Sequence, residues 1–183
     1  LKRRINDKEF LIRSFAAMGL GHKRTDEGFS ALLEILENEA DNNVVAEAAN
    51  SLAKFGASSI PHLVKLFEQN QHWLVRQSVL ATSEDFEDSA VLLKLCRLGF
   101  NGAEATVKQL AIAYLSQLAA TPQAPNALEI LFRAAADEDP QIRAIAARVL
   151  RQFDDEQAQA AIAKLSQDSH HQVVGAVLEG LLD

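Results

Sequence analysis

A helical pattern that recurs through the whole chain is the feature that most constrains its fold. Each copy has an apolar residue, a second small or apolar residue four places later, and in most copies a leucine eight places later, as in Ile142, Ala146 and Leu150. Residues at these spacings lie on one face of an α-helix, so each copy predicts a helix with the same buried stripe. The six stripes are spaced 31 to 35 residues apart and begin at Ile12, Val44, Val75, Val107, Ile142 and Val173.

A second helical segment precedes each stripe from the second copy onward. These segments are predicted to begin at Phe29, Ile60, Ser89, Pro125 and Glu156. The first copy has no such partner helix, unless residues 1–5 are its remnant. One helix pair cannot bury its apolar stripe alone, so neighbouring pairs are expected to stack and complete the core. The sequence therefore predicts an all-α array of about six helix pairs, the first incomplete.

Charge and composition exclude several classes of protein. The net charge is −7, yet residues 1–24 have seven Lys/Arg against two Asp/Glu, a net charge of +5, and the remainder is at −12. Nucleic-acid binding needs a basic face, so we expect no nucleic-acid partner. No apolar run is long enough to cross a membrane, so no membrane insertion is expected. The single cysteine excludes an internal disulfide and is compatible with a cytoplasmic location.

No catalytic or metal-binding motif is present in the sequence. It lacks a nucleophile elbow, a phosphate-binding loop, and the paired His and Cys patterns of zinc sites. His170 and His171 are adjacent, so their side chains are expected to diverge and not to share a metal. Cys96 lies in an apolar helix and is predicted to be a buried, unreactive thiol. We therefore expect no catalytic residues, no metal and no cofactor.

The segment "DEDPQIRAIAARVL" resembles a HEAT repeat. An acidic residue, here near a Pro, precedes an apolar-Arg pair, and "A-x3-L" follows. The resemblance is to the short type found in the phycobilisome-lyase HEAT-like group, and it covers nearly the whole chain. It implies a right-handed α-α superhelix, a HEAT-like solenoid, forming one domain over residues 1–183. The implied repeats are approximately 1–24, 25–56, 57–86, 87–119, 122–153 and 154–183.

The resemblance also implies lateral ion pairs between repeats. In HEAT families the acidic residue pairs laterally with the Arg, which forms a ladder along the array. The acidic position holds Asp7, Glu39, Asn70, Gly102, Asp137 and Asp168. The basic position holds Arg13, Val45, Arg76, Lys108, Arg143 and Val174. By this pattern the first and fifth copies keep both members, the fourth lacks its acid, and the second and sixth lack their base.

In HEAT-like arrays the second helix of each pair lines the concave side, which implies a protein-binding surface. The outward positions of these helices are mostly small or weakly polar, and therefore suit close approach of another chain. Trp73 lies in a turn, where it either fills the proline position of its copy or forms an interaction hot spot. The predicted partner-binding residues are Asn50, Trp73, Arg76, Gln77, Gln109, Arg148 and Arg151.

The resemblance suggests a cyanobacterial setting and two functions. The first is a non-enzymatic scaffold that binds a protein partner, such as a phycobiliprotein or another photosynthetic protein, during phycobilisome or photosynthetic complex assembly or turnover. The alternative is a subunit of a phycobilin lyase, which attaches or removes a linear tetrapyrrole on a phycobiliprotein cysteine. Only this alternative involves a cofactor-like ligand, phycocyanobilin.

Overall fold

The chain folds into helices, as the repeat pattern predicts. The computed structural model describes residues 1–83, 86 and 88–179, and this part of the chain contains no strand. Short 3₁₀ turns occur at Lys2–Arg4, Gly56–Ser59 and Leu115–Leu118. The α-helices are, in order, α1 (Phe10–Lys23), α2 (Asp26–Asn38), α3 (Asn42–Ala53), α4 (Ile60–Gln69), α5 (Trp73–Thr82), α6 (Ser89–Phe100), α7 (Ala105–Tyr114), α8 (Ala124–Ala135), α9 (Pro140–Leu150), α10 (Glu156–Leu165) and α11 (His171–Glu179).

Two compact units make up the chain, Leu1–Glu87 and Asp88–Asp183. In the first unit α1, α3 and α5 pack side by side, while α2 and α4 pack against them. In the second unit α7, α9 and α11 form the corresponding row, with α6, α8 and α10 against it. Helices α3, α5, α7, α9 and α11 are thus second helices of helix pairs, and α1 occupies the same place in the first copy. Within each unit, successive pairs stack as in a HEAT-like solenoid.

The buried core follows the predicted stripe. Val44, Ala48 and Leu52 are fully buried, and the equivalent residues of the later copies that the structure describes are also buried, the most exposed of them being Val177 at 8%. Leu181, the last predicted stripe residue, lies outside the described residues. Ile12 is an exception, since 37% of it is exposed. The three-residue turn Lys2–Arg4 packs on α1 where the later copies have a full first helix, and it leaves this end of the stripe open.

Side-chain caps determine where several helices begin. The side chains of Thr25, Asp41, Asp88, Asp139 and Asp155 each accept a hydrogen bond from a backbone N–H in the first turn of the helix that follows. Such a cap satisfies a donor that has no partner inside the helix. The predicted starts of α4, α6 and α10 are confirmed. Helix α2 begins three residues earlier than predicted, because its cap is Thr25 and the first turn is polar. No helix in the described ranges is long and apolar enough to span a bilayer.

Candidate functional site

Ion pairs link successive repeats within each unit, as the resemblance implies. Arg13 and Glu39 form a two-pronged pair, with Nε–Oε2 at 2.6 Å and Nη2–Oε1 at 3.0 Å. Arg143 and Asp168 repeat this geometry, with both N–O distances at 2.8 Å. Lys108 Nζ lies 2.6 Å from Asp137 Oδ2. We call these three pairs the ladder.

The ladder connects each base to the acid of the following copy. The acid and the base of one copy are therefore not the two residues that pair with each other. Lys108 has a partner although its own copy lacks the acid, and Glu39 has one although its own copy lacks the base. The reason is geometric, since the base projects from the start of one second helix toward the turn that precedes the next.

Each ladder arginine also binds the backbone of its own turn. Arg143 Nη1 donates to the carbonyls of Asp137 and Glu138 at 2.9 and 3.0 Å, and Arg13 makes the same two contacts in the first copy. One planar guanidinium thus holds two successive turns together, which the point charge of a lysine does less well. The hydrogen bonds from the arginine lower the pKa of Asp168, and in the first unit the pKa of Glu39.

Arg76 occupies the basic position of the third copy but points inward. Only 5% of it is exposed, its Nε donates to the carbonyl of Phe67 at 3.2 Å, and its guanidinium lies 4.4 Å from the centre of the Phe67 ring. Burial lowers its pKa. The acidic position of the next copy is Gly102, which offers no carboxylate. Arg76 is therefore buried and engaged with Phe67 within its own unit.

The other predicted residues of the first unit lie on α3 and α5. Asn50 and Gln77 are partly exposed. Trp73 is the first residue of α5, which is the place that Pro140 takes in α9, so it does fill the proline position of its copy. It is also 43% exposed and stacks on His72, with ring centres 5.9 Å apart. The proline-position interpretation of Trp73 is therefore confirmed, and its role as an interaction hot spot stays a prediction.

A groove of about 490 Å³ runs over the second helices of the second unit. It includes two of the predicted partner-binding residues, Gln109 and Arg148. Two small residues, Ala144 on α9 and Gly175 on α11, also line it. No neighbouring atom lies within 4 Å of the place that a Cβ at position 175 would take. The backbone of α11 is therefore open to close approach at this point.

Polar contacts across neighbouring helices form the walls of this groove. Gln109 Nε2 donates to Gln141 Oε1 at 2.9 Å, which joins α7 to α9. Arg148 binds Glu179 with two hydrogen bonds, 2.8 and 3.2 Å long, which join α9 to α11. The hydrogen bond between them raises the pKa of Arg148 and lowers that of Glu179. Both side chains of this pair are about half exposed.

Gln141 and Glu179 were not among the predicted site residues. Glu179 has a signal that could have identified it, because it lies six residues after Val173 as Arg148 lies six after Ile142. Opposite charges at equivalent positions of successive copies indicate a pair. Arg151, the remaining predicted residue, is partly exposed and follows α9. Its charge contributes to the lowered pKa of Glu179.

The described residues show no cluster of side chains suited to metal binding. They contain no group of three or more His, Cys, Asp or Glu that could hold a metal ion. The prediction that His170 and His171 diverge is wrong, since their rings stack with centres 4.7 Å apart where the chain enters α11. Cys96 is fully buried, as predicted, and burial raises the pKa of its thiol to about 12.

Comparisons with known proteins agree with the geometry. A family model described as HEAT repeats matches residues 1–83 and 91–182. No curated protein matches the chain significantly. Among solved structures, a designed armadillo repeat protein in complex with the peptide (KR)4 is 15% identical with a TM-score of 0.61, over 99% of this chain and 96% of that one. A computationally designed armadillo repeat protein for modular peptide recognition is 17% identical with a TM-score of 0.53, over 99% and 97%. These likenesses concern the fold.

Proposed function

The chain belongs to the HEAT-repeat family, and we propose that it is a non-enzymatic scaffold that binds an extended segment of another protein along its second helices. The groove over α7, α9 and α11 is the observation that supports this proposal most directly. It crosses three successive copies of the repeat, and its lining combines small residues with polar ones. Repeat arrays characteristically use surfaces of this kind for elongated partners.

The amide side chains in the groove suit a peptide backbone. Gln109 and Gln141 are already hydrogen-bonded to each other, and each amide group retains further donor or acceptor capacity. A peptide backbone presents alternating N–H and C=O groups, which such amides can bind without regard to sequence. Ala144 and Gly175 leave room for the backbone to come close.

The pair between Arg148 and Glu179 gives the groove a means of selecting charge. An exposed ion pair contributes little net free energy, so a ligand can separate it at small cost. A carboxylate of the partner then binds Arg148, or a basic group of the partner binds Glu179. The designed armadillo protein in complex with (KR)4 makes a peptide ligand a reasonable choice for this fold. Here both signs are present, so a ligand with mixed charge fits better than a purely basic one.

Trp73, Asn50 and Gln77 lie on the second helices of the first unit, and we propose them as a separate binding surface of that unit. A half-exposed tryptophan is a common anchor in protein interfaces because it buries a large area with few rotatable bonds. Arg151 is included in the second unit because it is partly exposed next to Glu179.

For the partner itself, the sequence resemblance supports a phycobiliprotein or another photosynthetic protein. The same resemblance supports the bilin lyase alternative. Mixing the protein with phycocyanobilin and a phycobiliprotein, with and without candidate partner subunits, distinguishes the two. A shifted and intensified red absorbance indicates bilin attachment, whereas stable association without spectral change indicates a scaffold.

The groove is tested by comparing which proteins are captured from the native organism by the wild type and by matched variants. Gly175→Arg places a long side chain in the groove at a position where the added Cβ meets no neighbouring atom within 4 Å, and Ala160→Arg places the same side chain at an exposed position of α10. A partner that binds the groove is lost with Gly175→Arg and with Arg148→Glu, and is retained with Ala160→Arg. If every captured protein is recovered equally with all variants, the groove is not the binding site. Trp73→Ala tests the surface of the first unit in the same experiment.

A further inference from the structure

The turn after α6 contains the only Asn-Gly pair in the sequence, Asn101 and Gly102. Helix α6 ends at Phe100, and the turn runs to the start of α7 at Ala105. Asn101 is exposed to solvent and Gly102 is partly exposed. Because glycine has no Cβ, its backbone nitrogen can approach the side-chain amide carbon of the preceding asparagine with little steric hindrance. The pair therefore brings a nucleophile and an electrophile together in one short turn.

A cation from the next repeat holds the side chain of Asn101. Arg133 of α8 lies 32 positions further along the chain, and its Nη2 donates to Asn101 Oδ1 at 3.0 Å. The guanidinium also lies 5.0 Å from the centre of the Phe100 ring. These two contacts keep the guanidinium beside Asn101, so the amide oxygen is hydrogen-bonded to a positively charged group.

The position of Arg133 favours chemistry at the amide carbon. When a nucleophile adds to Asn101 Cγ, negative charge develops on Oδ1, which is the atom that accepts the Arg133 hydrogen bond. A donor already directed at such an oxygen stabilises the tetrahedral intermediate, as the donors of an oxyanion hole do. The hydrogen bond becomes stronger when a carboxylate replaces the amide, because both partners are then charged. Arg133 thus favours both the addition and an acidic product.

We propose that Asn101 is a site of spontaneous deamidation, and that Arg133 assists the reaction. The backbone nitrogen of Gly102 attacks Asn101 Cγ, the side-chain nitrogen leaves as ammonia with the proton of the Gly102 N–H, and a cyclic imide forms. Water then opens the imide. Cleavage of the bond between Cγ and the Gly102 nitrogen gives aspartate, whereas cleavage between the backbone carbonyl carbon of Asn101 and that nitrogen gives isoaspartate.

The resting turn restrains the nucleophile. Asn101 has φ −81° and ψ −4°, and the Gly102 N–H donates to the carbonyl of Gly99 at 3.2 Å. The Gly102 nitrogen is therefore engaged with the end of α6, and this hydrogen bond has to break before the nitrogen reaches the geometry of attack. Breaking one such hydrogen bond lowers the reactive population by about fivefold. The restraint slows the reaction without preventing it.

The required opening is confined to the turn. Residues 101–104 lie outside the helices, and they are flanked by the buried side chains of Phe100 in α6 and Val107 in α7. A rotation about ψ of Asn101 releases the Gly102 N–H while these two anchors stay in place. The reaction is therefore expected in the folded protein, where Arg133 acts on it, as well as in the unfolded chain.

Peptide mapping by mass spectrometry tests the proposal after incubation of the full chain in mildly alkaline buffer. Deamidation replaces NH2 by OH and so increases the mass of the peptide that contains Asn101, and chromatography separates the aspartate and isoaspartate products. Asn50, which lies inside α3 and precedes Ser51, is the internal reference. We expect Asn101 to react at least about tenfold faster than Asn50 in the folded protein. An equal or lower rate at Asn101 overturns the proposal.

Matched variants test the contribution of Arg133. Arg133→Gln removes its charge, and Arg97→Gln removes an exposed charge in the last turn of α6 as the control. In the folded protein we expect Arg133→Gln to slow deamidation of Asn101 by about fivefold or more, and Arg97→Gln to change it by less than about twofold. In urea the contact is lost, so both variants and the wild type are expected to react at the same rate. If Arg133→Gln leaves the rate of the folded protein unchanged, or slows the reaction equally in urea, the proposal is overturned.

A further variant, Gly102→Ala, tests the nucleophile. A Cβ at position 102 hinders the approach of the backbone nitrogen, so deamidation of Asn101 is expected to be about tenfold slower. Urea unfolding of each variant identifies conditions in which it is folded, and the rates are compared under those conditions. An unchanged rate in Gly102→Ala shows that the reaction does not pass through the Gly102 nitrogen, and this result overturns the proposal.

Discussion

Arg13 and Glu39 are 26 positions apart in the chain, yet their charged groups meet in two hydrogen bonds of 2.6 and 3.0 Å. Both side chains are more than four-fifths buried, and Glu39 Oε1 also accepts the backbone N–H of Asp41 at 2.8 Å. This pair ties the turn before α1 to the turn before α3. The repeats are therefore joined by polar contacts at their turns as well as by apolar packing between helices.

Removing the charge of Glu39 is expected to destabilise the first unit. Glu39→Gln keeps an oxygen for the Asp41 N–H but leaves the guanidinium of Arg13 without its counter-charge. A hydrogen bond to a charged group contributes about 2 kcal/mol, and we expect a loss of that order in the free energy of unfolding by urea. Glu37→Gln, an exposed change in the last turn of α2, two residues before Glu39, serves as the control and is expected to have little effect. Equal destabilisation by both variants would show that the ladder contributes nothing specific.

The ladder also predicts how stability depends on pH. The pKa of Glu39 is lowered from its ordinary value of 4.5 and that of Asp168 from 3.8, in each case chiefly by the arginine hydrogen bond. A carboxylate with a lowered folded-state pKa stabilises the fold above its unfolded-state pKa, and this stabilisation is lost as the pH falls through the folded-state pKa. Urea midpoints are therefore expected to decrease below about pH 4.5. Asp168→Asn and Glu39→Gln should each flatten that decrease.

Gly21 is expected to be intolerant of a side chain. A Cβ at this position would lie 2.6 Å from the Cβ of Ser51 and 2.8 Å from its carbonyl oxygen, because α1 and α3 pack closely here. Gly21→Ala should therefore destabilise by about 1–3 kcal/mol, as overpacking does. Gly175→Ala is the matched control, since its Cβ meets nothing within 4 Å. There the higher helix propensity of alanine predicts a gain of up to about 1 kcal/mol. Thermal unfolding of both variants measures whether Gly21→Ala lowers the stability and Gly175→Ala raises it.

Arg76 should resist replacement by lysine. Lysine keeps the charge but loses the planar group that lies over Phe67 and the Nε donor to the Phe67 carbonyl. We expect Arg76→Lys to cost about 1–2 kcal/mol of stability. Lys65→Arg, at an exposed site on α4, is the control. Arg76→Lys should also leave partner capture unchanged under conditions where the variant is folded; a selective loss of capture would return Arg76 to the binding surface.

Cys96 is expected to be unreactive in the folded protein. Its side chain is fully buried and burial raises the pKa of the thiol to about 12, so almost no thiolate is present or accessible near neutral pH. Labelling with a thiol reagent should be slow in buffer and fast in urea. Because the chain has one cysteine, mass spectrometry of the labelled fraction measures the opening of α6 directly. Rapid labelling of the native protein would contradict the buried position.

The sequence was sufficient for the helices and their buried faces. Residues such as Val44, Ala48 and Leu52 recur with a helical period, and burial follows from that period alone once the helices pack. The same pattern predicted that Ile12 is buried, but neighbouring residues cover it only in part and 37% of it is exposed. The sequence also did not identify Gln141 as a groove residue, and it predicted Arg76 on the binding surface although that side chain is buried. Both errors arise because the direction of a long polar side chain depends on which neighbour offers it a hydrogen-bond partner.

Local periodicity determined the all-helical fold, the helix pairs and most of the core of this protein, because each of these depends on residues a few positions apart. Tertiary structure decided which base meets which acid, and that Gln109 and Arg148 line one groove. Those outcomes depend on distances between helices, and such distances arise only when the repeats stack.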